Sequence, residues 1–450
     1  MISSERYNFI PPSSENVFEK RNELLNNFVT MVRKKKANIV ISTTVAGAGH
    51  LRQAIRLCRF FSSLELENRI IFVVTDRTKK RSFSISDIAF RVYPWLQKKH
   101  YRIVELLRLL MNTPLGARII DKQVEEMAKQ GEQDMMGVLE NSEIFNRENP
   151  TIFIATHSML AGASDRILKE RNNPDDWVIE FVPDPWEGSD LRSMTVHPHH
   201  SNWITVLHDE NTVEEYRRIR PNSKAIVAPW GTLSNAIYLE RRRQLELGEI
   251  KKRKRMDVIV EFSGNYIPKY DKKIISFILA NIKRISSGEI RLVIDPMHHE
   301  KSYQNFKDVL ERVGLADNPN VLLLRNEIDI VEAVNRREDV LEGKNCEVNN
   351  YFKEEPFDPF AVIAKGGEVP LEDRFDMIAF CPFASVPHEV KDIIVGVKEG
   401  RAIDARQIDP SDWMDELRKL FEEERSLPIA SLAILAPVLI YIAQSDSLKS

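Results

Sequence analysis

Short apolar and β-branched runs alternate with amphipathic stretches along this sequence, and this alternation constrains the fold more than any other feature. The first run, Asn38–Thr44 (NIVISTT), is typical of a strand buried on both faces of a parallel sheet. Further strands are predicted at Arg69–Thr75, Thr151–Ala155, Trp177–Val182, Trp203–Leu207 and Lys224–Ala228. Helices are predicted at about residues 50–66, 100–112, 117–140 and 209–219. The alternation indicates a doubly wound α/β domain.

The same alternation starts again after a charged stretch, Tyr238–Met256, which contains the run KKRKR. Strands are then predicted at Asp257–Phe262, Arg291–Ile294, Asn320–Leu324 and Asp376–Phe380, and helices at Lys272–Ile285, Lys301–Val313 and Ile328–Val334. Residues 339–372 have no clear period and are interpreted as an insertion or long loop. The predicted organisation is an N-terminal extension at 1–37, a first domain at 38–245, a basic linker at 246–256, a second domain at 257–410 and C-terminal helices at 411–450.

Composition and charge exclude several classes of protein. The 64 basic and 67 acidic residues give a net charge of −3, so there is no overall electrostatic affinity for nucleic acid. Three cysteines without a CxxC pair exclude a disulfide framework and a thiolate zinc site, and they indicate a reducing cytoplasm. The apolar stretch Leu427–Ala443 contains two prolines and is open to two interpretations, a buried helix pair or a membrane-contacting segment.

Glycine is scarce, at 17 of 450 residues, so a glycine pair directly after the first predicted strand is informative. Gly47 and Gly49 lead into His50 and a predicted helix. The loop differs from a dinucleotide fingerprint because Arg52 occupies the third glycine position, and no GK[ST] follows as in a P-loop. His50 follows the carboxyl end of a strand, where α/β sheets bind ligands. It is interpreted as a catalytic or acceptor-binding residue, with a capping histidine in a tight turn as the alternative.

A strand, a Gly-x-Gly-His turn and a helix in the first of two Rossmann-like halves resemble the GT-B glycosyltransferases. The most similar groups are the monogalactosyldiacylglycerol synthase family and the lipid-linked N-acetylglucosaminyltransferases of peptidoglycan synthesis. The resemblance implies two Rossmann-like, doubly wound domains that face each other across a cleft. It also implies that the loop with Gly47 and Gly49 faces the acceptor, and that His50 handles the acceptor hydroxyl.

The second half contains residues that match the donor side of these families. After the strand at Asp376–Phe380, Ser385 matches the residues that meet the diphosphate, His388 lies at a helix start, and Glu389 matches the glutamate that binds the ribose hydroxyls. The glycine that usually precedes the serine is absent here. Glu389 can also be explained as a carboxylate favoured by a helix dipole. The turn Ser263-Gly264-Asn265 resembles the donor-phosphate loop.

Three more residues of the first half match positions in the cleft. Asp184 follows a predicted strand and is the second candidate for the catalytic base. His157 lies in the turn after Thr151–Ala155, and His197 lies in a loop between two predicted strands. The neighbouring run His197-Pro-His-His does not have metal-helix spacing, so no metal site is expected.

The resemblance implies a hexosyltransferase that transfers a sugar from a nucleotide sugar, most simply a UDP-sugar, to an acceptor hydroxyl with inversion. It implies no cofactor beyond this co-substrate. The implied acceptor is a membrane lipid, since basic clusters such as Lys79–Arg81 and Lys98–His100 lie beside apolar residues in the first half. That pattern indicates a cytoplasmic protein that associates peripherally with the anionic inner face of the membrane. Two alternatives remain open, a nucleotide-sugar epimerase of the same fold and a GT-B-like binding protein without donor chemistry.

Overall fold

The computed structural model describes most of the two predicted α/β halves. The described residues are 26–45, 48–75, 112–182, 188–196, 198, 202–207, 210–221, 223–227, 255–262, 266–327, 329–341, 343–366, 377–384, 387–398 and 402–423.

The first half forms a parallel sheet of six strands. Its strands are β1 (Asn38–Thr44), β2 (Ile70–Thr75), β3 (Thr151–Ala155), β4 (Trp177–Phe181), β5 (Trp203–Leu207) and β6 (Ala225–Val227). Their spatial order is β2-β1-β3-β4-β5-β6, and every neighbouring pair is parallel. The predicted strands of this half are therefore confirmed to within a residue or two.

Helices cover both faces of this first sheet. They are α1 (residues 26–35), α2 (Ala48–Ser63), α3 (Pro114–Glu140), α4 (Ser158–Arg171), α5 (Gly188–Ser193) and α6 (Glu210–Ile219). Alternate residues of β1 enter different cores: Ile39 and Ile41 pack with Phe28 of α1, whereas Val40 packs with Val124 of α3. Burial on both faces is the reason why these strands read as continuous apolar runs.

The second half forms another parallel sheet of six strands. These are β7 (Met256–Glu261), β8 (Ile290–Asp295), β9 (Val321–Leu323), β10 (Ala361–Lys365), β11 (Ile378–Phe383) and β12 (Ala402–Asp404). They lie in the order β12-β11-β10-β7-β8-β9, again all parallel. The predicted fold class, two Rossmann-like doubly wound sheets, is therefore present in the structure.

The helices of the second half are α7 (Pro268–Ala280), α8 (Ile282–Ser286), α9 (Glu300–Arg312), α10 (Ile330–Leu341), α11 (Cys346–Tyr351), α12 (Pro387–Lys398) and α13 (Trp413–Glu423). The single helix predicted over Lys272–Ile285 is two helices, because the chain leaves helical geometry at Asn281. The helix predicted at Ile328–Val334 continues to Leu341, and its added turns are important for the site.

The interpretation of residues 339–372 as an insertion or long loop is wrong in its central part. This stretch contains α11 and β10, and β10 pairs with β7 on one side and β11 on the other, in the middle of the sheet. The strand was missed because its apolar run AVIA is short and follows a segment rich in proline and acidic residues. A central strand needs no polar–apolar alternation, so a run this short gives little periodic signal.

The strand order creates one topological switch point in each sheet. The chain leaves β1 for β2 on one side and returns to β3 on the other, and it leaves β7 for β8 and β9 before returning to β10. The carboxyl ends of β1 and β3, and those of β7 and β10, are therefore the two positions at which sheets of this kind bind ligands.

The two halves are packed together through α2 and α10. Leu51 and Ile55 of α2 form an apolar cluster with Met297, Ala333 and Val334 of the second half, and all five are buried. Since α2 begins at the first switch point, this contact fixes that switch point relative to the second sheet.

Candidate active site

His50 lies in the first turn of α2, at the switch point between β1 and β3. Its Nδ1 atom lies 2.5 Å from the backbone carbonyl oxygen of Thr156, the first residue after β3. A carbonyl oxygen only accepts, so Nδ1 carries the proton and Nε2 of the neutral ring has the lone pair. Among the described residues, no group hydrogen-bonds to that Nε2 atom. The partly exposed ring can therefore accept a proton from a ligand.

Two buried threonines, Thr43 and Thr156, hydrogen-bond to each other beneath His50. The Thr156 hydroxyl lies 2.9 Å from the Thr43 hydroxyl and 3.1 Å from the backbone carbonyl of His50. Both threonine side chains are fully buried. The contacts join the end of β1, the start of α2 and the end of β3, so the His50 backbone is held from both strands.

His157 follows Thr156 and faces His50. The ring centroids are 5.0 Å apart in an edge-to-face arrangement. The Nδ1 atom of His157 accepts the backbone N–H of Met159 at 3.2 Å and caps α4. The proton of the neutral ring is therefore on Nε2, and the two histidines present opposite hydrogen-bonding groups, an acceptor on His50 and a donor on His157.

Both imidazoles are neutral at physiological pH. Burial lowers the pKa of His50 to about 4, partly offset by its bond to Thr156. Burial, reinforced by the neighbouring His50, lowers the pKa of His157 to about 3. The lone pair on His50 is therefore available without prior loss of a proton.

At the second switch point, Lys365 ends β10 and pairs with Glu389 in the first turn of α12. The Lys365 Nζ and Glu389 Oε1 atoms are 2.5 Å apart, and the Glu389 side chain is 3% exposed. Gly366 makes this approach possible, because a Cβ atom there would lie 2.3 Å from the backbone oxygen of Glu389. The ammonium group and the carboxylate thus lie together at the end of β10, in and next to the first turn of α12.

The backbone between β7 and β10 is tied by a tyrosine. The hydroxyl of Tyr270 lies 2.8 Å from the carbonyl oxygen of Glu261 and 2.9 Å from that of Ile363. The hydroxyl proton is shared between the two strands near their carboxyl ends. This bond holds the rim of the second switch point, at which the predicted donor-phosphate loop begins.

Arg52 connects the two switch points. It lies two residues after His50, its side chain is 1% exposed, and its Nε atom is 2.5 Å from Glu338 Oε1 on α10. Its Nη1 atom is 3.5 Å from Glu261 at the end of β7. The residue that breaks the dinucleotide fingerprint in the sequence is therefore the residue that joins His50 to the second sheet.

Glu180, near the end of β4, is a buried carboxyl group that bonds to a backbone N–H and a hydroxyl. Its oxygens lie 3.2 Å from the backbone nitrogen of Val196 and 3.0 Å from the Thr205 hydroxyl. Burial raises its pKa to about 8, against the lowering effect of these bonds. Because these bonds join β4 to β5 and to the segment before it, we assign Glu180 a structural role in the first sheet.

Of the predicted site residues, the structure brings His50 and His157 together and places Glu389 at the second switch point. Gly49 lies in the first turn of α2, and the backbone of His388 lies in α12. The predictions for Gly47, Asp184, His197, Ser263, Gly264, Asn265 and Ser385 lie outside the described residues. Lys365, Gly366 and Arg52 were not predicted. The signal for Arg52 was its position directly after Leu51 and three residues before Ile55, which places a charge at the edge of an apolar stripe.

Across the described ranges, no group of three or more His, Cys, Asp or Glu side chains is arranged to hold a metal ion. None of the helices in that part of the chain combines the length and apolar composition that crossing a membrane requires.

No family model and no curated protein matches the sequence. Solved structures with a similar course include UDP-GlcNAc 2-epimerase from Methanocaldococcus jannaschii, at 7% identity and a TM-score of 0.46, covering 92% of this chain and 99% of that one. The Neisseria meningitidis UDP-GlcNAc 2-epimerase bound to UDP-GlcNAc has 10% identity and a TM-score of 0.43, with 92% and 100% covered. The α,α-trehalose 6-phosphate synthase of Burkholderia multivorans has 10% identity and a TM-score of 0.40, with 92% and 99% covered. Because these values are low, the fold is assigned from the chain's own two sheets.

Proposed function

We propose that this protein is a glycosyltransferase that moves a sugar from a nucleoside diphosphate sugar to an acceptor hydroxyl, with His50 as the general base. The observation that carries the proposal is the bond from His50 Nδ1 to the Thr156 carbonyl, which leaves an acceptor nitrogen at the first switch point. The proposal is supported by Arg52, two residues after His50, which contacts Glu261 at the end of β7, one of the strands of the second switch point.

The acceptor hydroxyl binds at the first switch point and gives its proton to His50 Nε2 as its oxygen bonds to the anomeric carbon. The bond from that carbon to the diphosphate oxygen breaks, and its electron pair leaves on the nucleoside diphosphate. Direct displacement of this kind inverts the anomeric configuration. His157 is proposed as a further acceptor-side residue, because its ring lies in edge-to-face contact with that of His50.

The donor binds at the second switch point. Glu389 accepts the ribose hydroxyls, and the Lys365 ammonium, only 2.5 Å from that carboxylate, attracts the diphosphate. Ser263, Gly264, Asn265, Ser385 and His388 are proposed to line the diphosphate, together with the amino end of α12. Asp184 and His197 are proposed as acceptor-side residues, with Asp184 as a second candidate base. We further propose a UDP-sugar as donor and a lipid hydroxyl as acceptor, from the basic and apolar residues of 79–100.

Donor binding is tested by the rise in the unfolding temperature Tm with millimolar UDP. Wild type should be stabilised, and Glu389→Ala and Lys365→Met should each remove most of the stabilisation. Lys398→Met is the matched control, because Lys398 is exposed in the last turn of the same helix, and it should behave like wild type. Equal stabilisation of all four proteins would contradict the assigned donor site, and no stabilisation of any would contradict nucleotide use.

Turnover is tested by following sugar and nucleotide together by NMR with a UDP-sugar and candidate lipid acceptors. His50→Gln should lower kcat by roughly 10²- to 10⁴-fold, the usual contribution of a general base, while UDP still stabilises the variant. Formation of a sugar epimer in the absence of an acceptor would contradict the transferase proposal and support the epimerase alternative. UDP binding without any turnover would support a binding protein instead.

A further inference from the structure

A cluster of buried charged residues lies where the two halves meet, next to the apolar contact of α2 with α10. The cluster, called the interdomain clasp below, consists of Arg52, Arg56, Glu261, Asp295, Arg336, Arg337 and Glu338. None of these residues is more than 8% exposed. Charges this deeply buried are destabilising unless each is paired with good geometry. The pairing of these residues therefore shows which elements the cluster joins.

Glu338 is a buried acceptor on α10 for two arginines of α2. Its carboxylate accepts Arg52 Nε at 2.5 Å and Arg56 Nε at 2.6 Å, with Arg56 Nη2 at 3.2 Å. Arg52 and Arg56 are one helical turn apart and therefore lie on the same face of α2. Burial alone would raise the pKa of Glu338, but the two guanidinium groups outweigh it and lower the pKa to about 2.

The neighbouring arginines fasten α10 to the second sheet. Arg337 donates from Nη2 to the carbonyl oxygen of Phe262 at 2.6 Å, immediately before the predicted donor-phosphate loop. Arg336 donates to Asp295, at the end of β8, at 2.6 Å. Three consecutive residues of α10 therefore bind three different elements: Arg336 binds the end of β8, Arg337 binds the end of β7, and Glu338 binds the helix that carries His50.

We propose that Glu338 is a positioning residue that fixes α2, and with it His50, relative to the donor loop after β7. This inference rests on the proposed function for its catalytic consequence. Transfer between two bound substrates requires near-contact alignment, and a displacement of about 1 Å can lower the rate by roughly 10²-fold. Glu338 acts here through Arg52 and Arg56 and forms no bond with substrate.

The test compares Glu338→Gln with Asp339→Asn, the next residue of the same helix. Asp339 pairs with Arg59 at 2.9 Å on the partly exposed rim of the same contact, with side chains 41% and 26% exposed, which makes it a matched control. Three quantities are measured: the His50 pKa by NMR of ¹³C-labelled histidine, amide exchange in α2, and the steady-state kinetics of transfer.

Glu338→Gln should loosen α2, so that the His50 pKa rises from about 4 toward 6.5 and amide exchange at residues 48–56 accelerates at least about tenfold. Transfer should lose at least about tenfold in kcat with little change in donor KM, because alignment and not donor binding is impaired. Asp339→Asn should match wild type in all three.

A folded Glu338→Gln protein with wild-type His50 pKa and wild-type exchange would overturn the proposal, whatever its activity. If Glu338→Gln raises the His50 pKa and accelerates exchange but the wild-type protein itself shows no transferase activity, the positioning role is upheld and the proposed function is refuted. If Glu338→Gln does not fold, Glu338→Asp replaces it. The shorter carboxylate should move both signals in the same direction, and wild-type values would overturn the proposal.

Discussion

His50 and His157 each have one ring nitrogen bound to backbone, His50 to the Thr156 carbonyl and His157 to the Met159 N–H. These bonds fix which nitrogen of each neutral ring carries the proton. Sequence alone predicted both residues near the acceptor because each follows a strand. It could not predict their pairing, since neither the ring contact nor the protonated nitrogen follows from spacing.

The low pKa values give the protein a defined acid sensitivity. A histidine with a pKa below its unfolded value of about 6.5 binds a proton on unfolding, so the free energy of unfolding falls as pH drops through that value. Between pH 7 and 5, His157 should account for a loss of about 2 kcal/mol. His157→Asn keeps the cap on α4 and removes the titration, so this part of the loss should disappear in urea unfolding. Parallel pH dependence of the two proteins would contradict it.

At the scale of elements, the strands were predictable and their connections less so. β1, β3 and β5 agree with prediction because buried parallel strands need apolar runs with clear ends. β10 was missed, and with it Lys365 and Gly366, since a short run in the centre of a sheet resembles the loop around it. Sequence predicted Glu389, but its lysine partner comes from a strand that was not expected.

The contact of β10 with α12 is tested by Gly366→Ala. The added Cβ would lie 2.3 Å from the Glu389 carbonyl oxygen and 3.0 Å from Ile393 Cδ1, so backbone must move. The expected loss is about 1–3 kcal/mol of stability, together with weaker stabilisation by UDP. Gly137→Ala is the control, because a Cβ at that position would have no described atom within 4 Å, and it should gain up to about 1 kcal/mol in its helix. Chemical denaturation of both variants measures the difference, and equal stabilities would refute it.

At the scale of the whole molecule, the contact of α2 with α10 relates the two sheets. The bond of Arg52 to Glu338 spans 286 residues of sequence, and no periodic pattern could predict such a pair. The sequence does place Arg52 and Arg56 on the face of α2 that carries Leu51 and Ile55. Only the packed structure shows that this face meets the second half.

Truncation of Ile55 tests whether this packing makes the halves unfold together. Ile55 is 2% exposed in the cluster between them, so Ile55→Ala should lower the free energy of unfolding by about 2–4 kcal/mol. Calorimetry should show a single transition at a lower temperature, because both sheets lose stability together. Ile119→Ala, at a position 49% exposed on α3, should stay within about 0.5 kcal/mol of wild type. A loss confined to the first sheet would contradict this.

The interdomain clasp also limits how this protein could be recombined. Two parallel six-stranded sheets suggest interchangeable modules that could be exchanged at the linker between them. A foreign second half would have to supply a carboxylate at the position of Glu338. Without it, Arg52 and Arg56 would lose the carboxylate that they share in a buried interface, and breaking a buried ion pair is strongly destabilising. A functional chimera therefore needs α10 transferred together with α2, so the unit of exchange is the helix pair and not the domain.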